Sequence, residues 1–164
     1  MSDGTADGVF CRPDDARRLP GVIFLTDIGG IRPAQQGMAG RLAGAGYAVL
    51  LPNIFYRTNR SPISRARADW VDQLRASLGP GTVERDAAGY VNFLAAQTGV
   101  TEGTMGIVGH CFSGGVAMRM AATLPDRITA MASFHAGGLY TDAPTSLTPT
   151  APAHPSAALL RPCG

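Results

Sequence analysis

The 164-residue sequence predicts an α/β fold, a doubly wound and mostly parallel sheet with helices on both faces. Three observations carry that prediction. Short continuous apolar runs closed by Gly or Pro read as strands buried on both faces. Between them lie stretches whose apolar residues recur at helical spacing. Two of these runs, with a helical stretch between them, fit into about thirty residues, the length of one βαβ unit.

Gly21-Val22-Ile23-Phe24-Leu25-Thr26 is the first such strand, bounded by Pro20 and by Asp27-Ile28-Gly29-Gly30. Pro33 stands where a first-turn proline pre-sets the helical φ, and its helix runs through Met38 and Leu42 to a stop at Gly44-Ala45-Gly46. Tyr47-Ala48-Val49-Leu50-Leu51 is the next strand, ended by Pro52. Residues 53–62 read as an irregular connection. Residues 64–78 are expected to be helical, with Trp70 and Leu74 one turn apart on one face, until Gly79-Pro80-Gly81 breaks the pattern. A second amphipathic helix opens at Thr82, its expected N-cap, and turns Ala87, Val91 and Leu94 inward. The strand ending at Gly109, a helix over 114–124 and a strand over 127–134 complete the alternation.

After His135 the chain changes character. Leu139 to Gly164 holds five prolines among Thr, Ser and Ala, with Ala158-Leu159-Leu160 its one apolar cluster. Such a segment buries too little apolar surface to offset its ordering entropy, so residues 139–164 are expected to form an irregular tail to a domain spanning 8–138.

Composition narrows the function classes. Hydrophobic residues make up 45% and charged residues 16%, ordinary for one globular domain. The net charge is only +2 and every Lys/Arg position is Arg, a bias of genome composition that implies no nucleic-acid partner. Met1-Ser2-Asp3-Gly4-Thr5-Ala6-Asp7 is acidic and lacks the apolar core of a secretory signal. No apolar run approaches the ~18 residues of a membrane span. Cys11, Cys111 and Cys163 are odd in number and widely spaced, which fits a reduced, cytoplasmic setting better than a disulfide framework and offers no metal-site spacing.

The chemistry concentrates in Met105-Gly106-Ile107-Val108-Gly109-His110-Cys111-Phe112-Ser113-Gly114-Gly115, followed by the helical run Val116-Ala117-Met118-Arg119-Met120. An apolar strand ending in Gly, one intervening residue, a nucleophilic side chain and then small residues opening a helix is the pattern of a nucleophile elbow. A Walker A loop is excluded, because Gly115 and Val116 stand where Lys and Ser/Thr are required. A dinucleotide fingerprint fails as well, since Cys111 takes its second glycine position. The bland alternative for Cys111 is a small buried hydrophobe. A second register makes Ser113 the nucleophile, but it leaves Gly109 without a role.

These residues give the chain a resemblance to the dienelactone hydrolase family of the α/β-hydrolase superfamily. It is carried by residues 21–32, by residues 45–57 (Ala45-Gly46-Tyr47 through Phe55-Tyr56-Arg57), and by Val108-Gly109-His110-Cys111-Phe112-Ser113-Gly114-Gly115. Ser113 departs from the family's usual Gly-Gly after the residue following cysteine. The resemblance implies that Cys111 attacks the carbonyl of a small ester or lactone and forms a thioester that water hydrolyses, with no cofactor. It implies an oxyanion hole from the backbone N–H groups of Ile28 and Phe112. Asp27 falls where the family has an acid that can contact the thiol, its other reading being a loop-capping carboxylate. Arg65 and Arg67 are the candidates for meeting a substrate carboxylate, or else they lie on a solvated helix face.

In the resembled fold the catalytic Asp and His follow two further strands. Downstream of His135 this sequence has only Asp142 and His154, both in the Pro/Thr-rich tail, so the expected domain lacks the last strands and the family's acid and base. His110 and His135 lie nearer the elbow and read as structural. Three functions therefore compete: a Cys111 hydrolase, a non-catalytic remnant produced by truncation or by a frame change near Thr145, and a thiol redox protein that lacks a Cys-x-x-Cys partner. The strand over 128–134, without charge or proline, is expected to be an exposed edge prone to self-association.

Overall fold

The computed structural model describes residues 4–60, 69–79 and 81–137. The chain runs through β1 (Gly8–Cys11), β2 (Gly21–Leu25), α1 (Pro33–Gly44), β3 (Ala48–Pro52), α2 (Trp70–Ala76) and α3 (Thr82–Ala95). It continues through β4 (Met105–His110), α4 (Ser113–Thr123) and β5 (Ile128–Phe134). The strands form one sheet in the order β1-β3-β2-β4-β5, parallel throughout except for β1, which runs antiparallel to β3.

Alternation along the strands sends side chains to two cores. Ile23 and Leu25 of β2 with Met105 and Ile107 of β4 face α3 and α4, where Ala87, Val91, Leu94, Val116 and Met120 close over them. Phe24, Val49, Leu51 and Val108 point the other way, onto Ala39 and Ala43 of α1. Helices thus lie on both faces of the sheet, as the apolar runs predict. Burying a side chain such as Ile23 or Leu25 completely is worth roughly 1.5–3 kcal/mol, and β2 and β3 consist almost wholly of such residues.

One local expectation is corrected, at Thr82, and one strand, β1, is added to those expected. β1 has no counterpart in the sequence reading, because four residues ending at Arg12-Pro13 carry too little pattern to declare a strand. Its pairing partner settles it, through the register Gly8↔Pro52 to Cys11↔Val49. Thr82 is not the N-cap of α3: Gly81 holds that place with φ 76, a left-handed turn that glycine adopts without strain, and no side chain caps the helix. Of the helix expected over 64–78, the described part is Trp70–Ala76. Residues 139–164 and the candidates Arg65, Arg67, Asp142, His154 and Cys163 lie outside the described residues.

Candidate active site

β2 and β4 are neighbours, and the chain leaves them toward opposite faces, to α1 after β2 and to α4 after β4. That divergence opens a crevice beyond the carboxyl ends of the two strands, where ligands bind in open α/β sheets. The two loops at its rim carry Asp27-Ile28 on one side and Cys111-Phe112 on the other.

β4 ends at His110 and α4 begins at Ser113, so a helix and a strand are joined by two residues. The turn requires Cys111 to adopt φ 53, a left-handed conformation that costs a non-glycine residue of order 1–3 kcal/mol. Neighbouring bonds hold it there. The Cys111 N–H donates to the Phe134 carbonyl at 2.9 Å, and the Gly114 N–H donates to the Cys111 carbonyl at 3.1 Å. Gly109 cannot carry a side chain, since its Cβ would lie 2.7 Å from the Ser113 carbonyl carbon and 2.8 Å from the Gly114 Cα. A Cβ on Gly114 would collide with Ser133 Oγ and Ala136 Cβ.

Ser113 is part of that brace. It is fully buried; its Oγ accepts the His110 N–H at 2.9 Å and lies 3.2 Å from the carbonyl oxygens of both Leu25 and His110. Cys111 is half-buried, and no residue hydrogen-bonds its thiol among the described residues. The backbone N–H groups of Ile28 and Phe112 likewise make no hydrogen bond among the described residues.

Of the two roles open to Asp27, its contacts show the loop-capping one. Its carboxylate accepts the Gly29 N–H at 2.7 Å, the Arg32 guanidinium at 2.6 and 2.8 Å, and the Gln35 amide at 3.1 Å. Hydrogen bonding from Arg32 holds Asp27 below its usual carboxylate range, against burial that raises it. The effect is a rigid loop around Ile28. Arg32 and Gln35 escape a sequence reading because no periodicity links them to Asp27.

His110 is sandwiched between the rings of Phe24 and Phe134 at centroid distances of 4.6 and 5.1 Å. Burial pushes its pKa down, and Nδ1 lies 3.2 Å from the Leu25 carbonyl, so the ring is neutral with its proton on Nδ1. That is the structural role expected for it. On the other flank, the Phe112 ring stacks on Phe55 at 6.2 Å. Phe55 belongs to the loop after β3, which Arg57 anchors to the buried Asp86 of α3 through two contacts of 2.8 Å.

A groove of about 780 Å³ lies elsewhere, over β4 and β5 on the α1 side of the sheet. Phe24, Val108, Ala130, Ala132 and Phe134 line it, and Cys111 does not. It is a sheet face left open by the described elements, whereas Cys111 sits at the end of β4.

A mostly parallel sheet with helices on both faces, and a tight strand–turn–helix at the carboxyl end of β4, defines a domain of the α/β-hydrolase type. Residues 6–158 match the model of the dienelactone hydrolase family, and the chain belongs to that family. It is 31% identical over 111 residues to the carboxymethylenebutenolidase of Rhodococcus opacus, a match covering 66% of this chain and 41% of that protein. A Klebsiella pneumoniae protein described as a dienelactone hydrolase superposes with a TM-score of 0.71 at 21% identity, over 86% of this chain and 58% of that one. A dienelactone hydrolase-like promiscuous phosphotriesterase from metagenomic libraries gives a TM-score of 0.69 at 25% identity, over 80% and 54%. The chain therefore spans less than two thirds of the length of these relatives. No helix among the described residues is long and apolar enough to cross a membrane.

Proposed function

We propose that this chain hydrolyses carboxylic ester or lactone bonds of a small molecule, with Cys111 as the nucleophile and no cofactor, in the cytoplasm. The observation that carries this reading is the strained Cys111 turn, φ 53, set against two uncommitted N–H groups, those of Ile28 and Phe112. The sulfur attacks the carbonyl carbon, and the two N–H groups receive the developing oxyanion. Asp27 serves by fixing the loop that presents Ile28. Collapse of the tetrahedral intermediate expels the alcohol and leaves a thioester, which water cleaves.

One observation favours a second reading, a non-catalytic member of the family: the Cys111 thiol has no hydrogen-bond partner among the described residues. Turnover of an aryl acetate and of a dienelactone by the purified full chain separates the two. A nucleophile supported only by its oxyanion hole and binding contacts retains ~10³–10⁴-fold over water. The hydrolase reading expects at least that rate, falling to background in Cys111→Ala. A rate equal in the native chain and Cys111→Ala overturns it.

A further inference from the structure

We infer that His135 acts as the proton acceptor for Cys111, an inference that rests on Cys111 being the nucleophile. β4 and β5 pair in register as far as His110↔Phe134, so Cys111 and His135 are the residues that follow the last pair at the same end of the sheet. The hydrogen bond from Cys111 N–H to the Phe134 carbonyl, at 2.9 Å, ties that corner together. Neighbouring strands lie roughly 5 Å apart, and the two residues leave the sheet from adjacent strands at that spacing.

Two further observations set His135 apart. Cys111 and His135 are the two non-glycine positions with positive φ among the described residues, at 53° and 43°. Strained backbone persists where the surroundings impose it, and it gathers at functional sites. The surroundings are visible here: Ser133 and Ala136 pack so closely on Gly114, in the first turn of α4, that Gly114 has no room for a Cβ. The segment bearing His135 is thereby braced against the helix that Cys111 heads. The imidazole itself is exposed and makes no hydrogen bond or ion pair among the described residues, unlike His110, which is held in its aromatic sandwich.

The charged and titratable groups around this corner come from several elements. His110 and Cys111 belong to β4 and its turn, Asp27 with Arg32 to the loop after β2, and Arg75 to α2, its guanidinium 6.0 Å from the Phe112 ring centre. The charge of His135 reaches His110, whose protonation it disfavours after burial has done so more strongly. Asp27 is neutralised by Arg32. The exposed ring of His135 is left as the proton acceptor of this corner.

In the reaction the Sγ–H proton passes to a ring nitrogen of His135 as the sulfur lone pair forms the bond to the carbonyl carbon. The carbonyl π pair moves to oxygen. Collapse breaks the bond to the leaving alkoxide, which takes the proton from the imidazolium. Water then attacks the thioester while His135 accepts its proton, and that proton returns to sulfur as the acid leaves.

Alkylation of the full chain by iodoacetamide, followed by peptide mapping across pH 5–9, tests this. Cys111 is expected to show a step in its rate within this range that depends on His135. In His135→Gly, which suits the positive φ and so preserves the fold, the step disappears and the rate at pH 7 falls about tenfold or more. Adding imidazole to the buffer restores it, which a merely structural histidine would not allow. An unchanged Cys111 profile in His135→Gly, or a loss that imidazole does not rescue, overturns the role of His135 and leaves the nucleophile in place. A Cys111 no more reactive than Cys11 at any pH overturns both.

Discussion

At the scale of single residues, the three chemically active side chains of the turn have separable duties, and substitutions should separate them. Ser113 is buried with its hydroxyl engaged three ways, so Ser113→Ala strands the His110 N–H without an acceptor. The expected cost is roughly 1–3 kcal/mol of stability, read from urea unfolding, with ester turnover persisting in the folded fraction. Loss of turnover in Ser113→Ala with retention in Cys111→Ala would move the nucleophile to Ser113. The thiols should differ as well. Burial pushes the Cys11 thiol up, keeping it protonated, while Cys111 sits half-buried in the turn at the head of α4. Iodoacetamide at pH 7.5 is therefore expected to label Cys111 faster than Cys11, as mapped peptides would report. Asp27 supplies a pH signature. Hydrogen bonding from Arg32 holds its folded-state pKa below that of the unfolded chain, so the stability it contributes is complete above the unfolded pKa and is lost as pH falls through the folded one. The difference in Tm between the native chain and Asp27→Asn should accordingly be constant near neutrality and shrink progressively as the pH is lowered into the acid range. A difference that does not change with pH would assign the effect to something other than the charge.

At the scale of elements, the loop after β3 matters because Phe55 supports the Phe112 ring beside Cys111. What fixes the loop is the pair Arg57–Asp86, with Asp86 only 1% exposed and its Oδ1 also 3.1 Å from the Tyr56 hydroxyl. Removing one partner of a buried ion pair leaves the other charge uncompensated, so Asp86→Ala is expected to cost ~3–5 kcal/mol in urea unfolding. Asp15→Ala, which breaks the exposed pair with Arg17, should leave the midpoint unmoved. Of these elements the sequence shows the strands and their order of appearance, because buried parallel strands such as Val22-Ile23-Phe24-Leu25 write their burial directly as apolar runs. The turn at Cys111 is equally visible, through the glycines that its crowding demands. The Arg57–Asp86 pair is not, since its members are 29 positions apart and nothing local marks them as partners. β1 escapes for a related reason: an antiparallel edge of four residues is defined by β3, which it pairs with, more than by its own composition. Thr82 shows the limit of capping rules, since Gly81 opens α3 through backbone conformation alone.

At the scale of the whole molecule, the sheet among the described residues ends at β1 on one side and at β5 on the other. β1 closes one edge with four residues, but β5 is the outermost strand opposite it among the described residues, seven residues long. Its sequence, Ile128-Thr129-Ala130-Met131-Ala132-Ser133-Phe134, has no charge, and no proline interrupts the row of N–H and C=O groups on its outer side. Beside that edge the groove of about 780 Å³ exposes Ala130, Ala132 and the ring of Phe134, which is 44% accessible. An unpaired ladder next to an apolar face is suited to another strand, and a second copy of the chain offers one of the same length and chemistry. Self-association through β5 is therefore expected at micromolar concentration, visible in light scattering as a mass of two chains or more. Thr129→Lys places a charge on an exposed position of this edge without touching the packed Met131, and it should shift the mass toward one chain and raise solubility. A native chain that is monomeric at these concentrations and unfolds cooperatively would overturn pairing through β5.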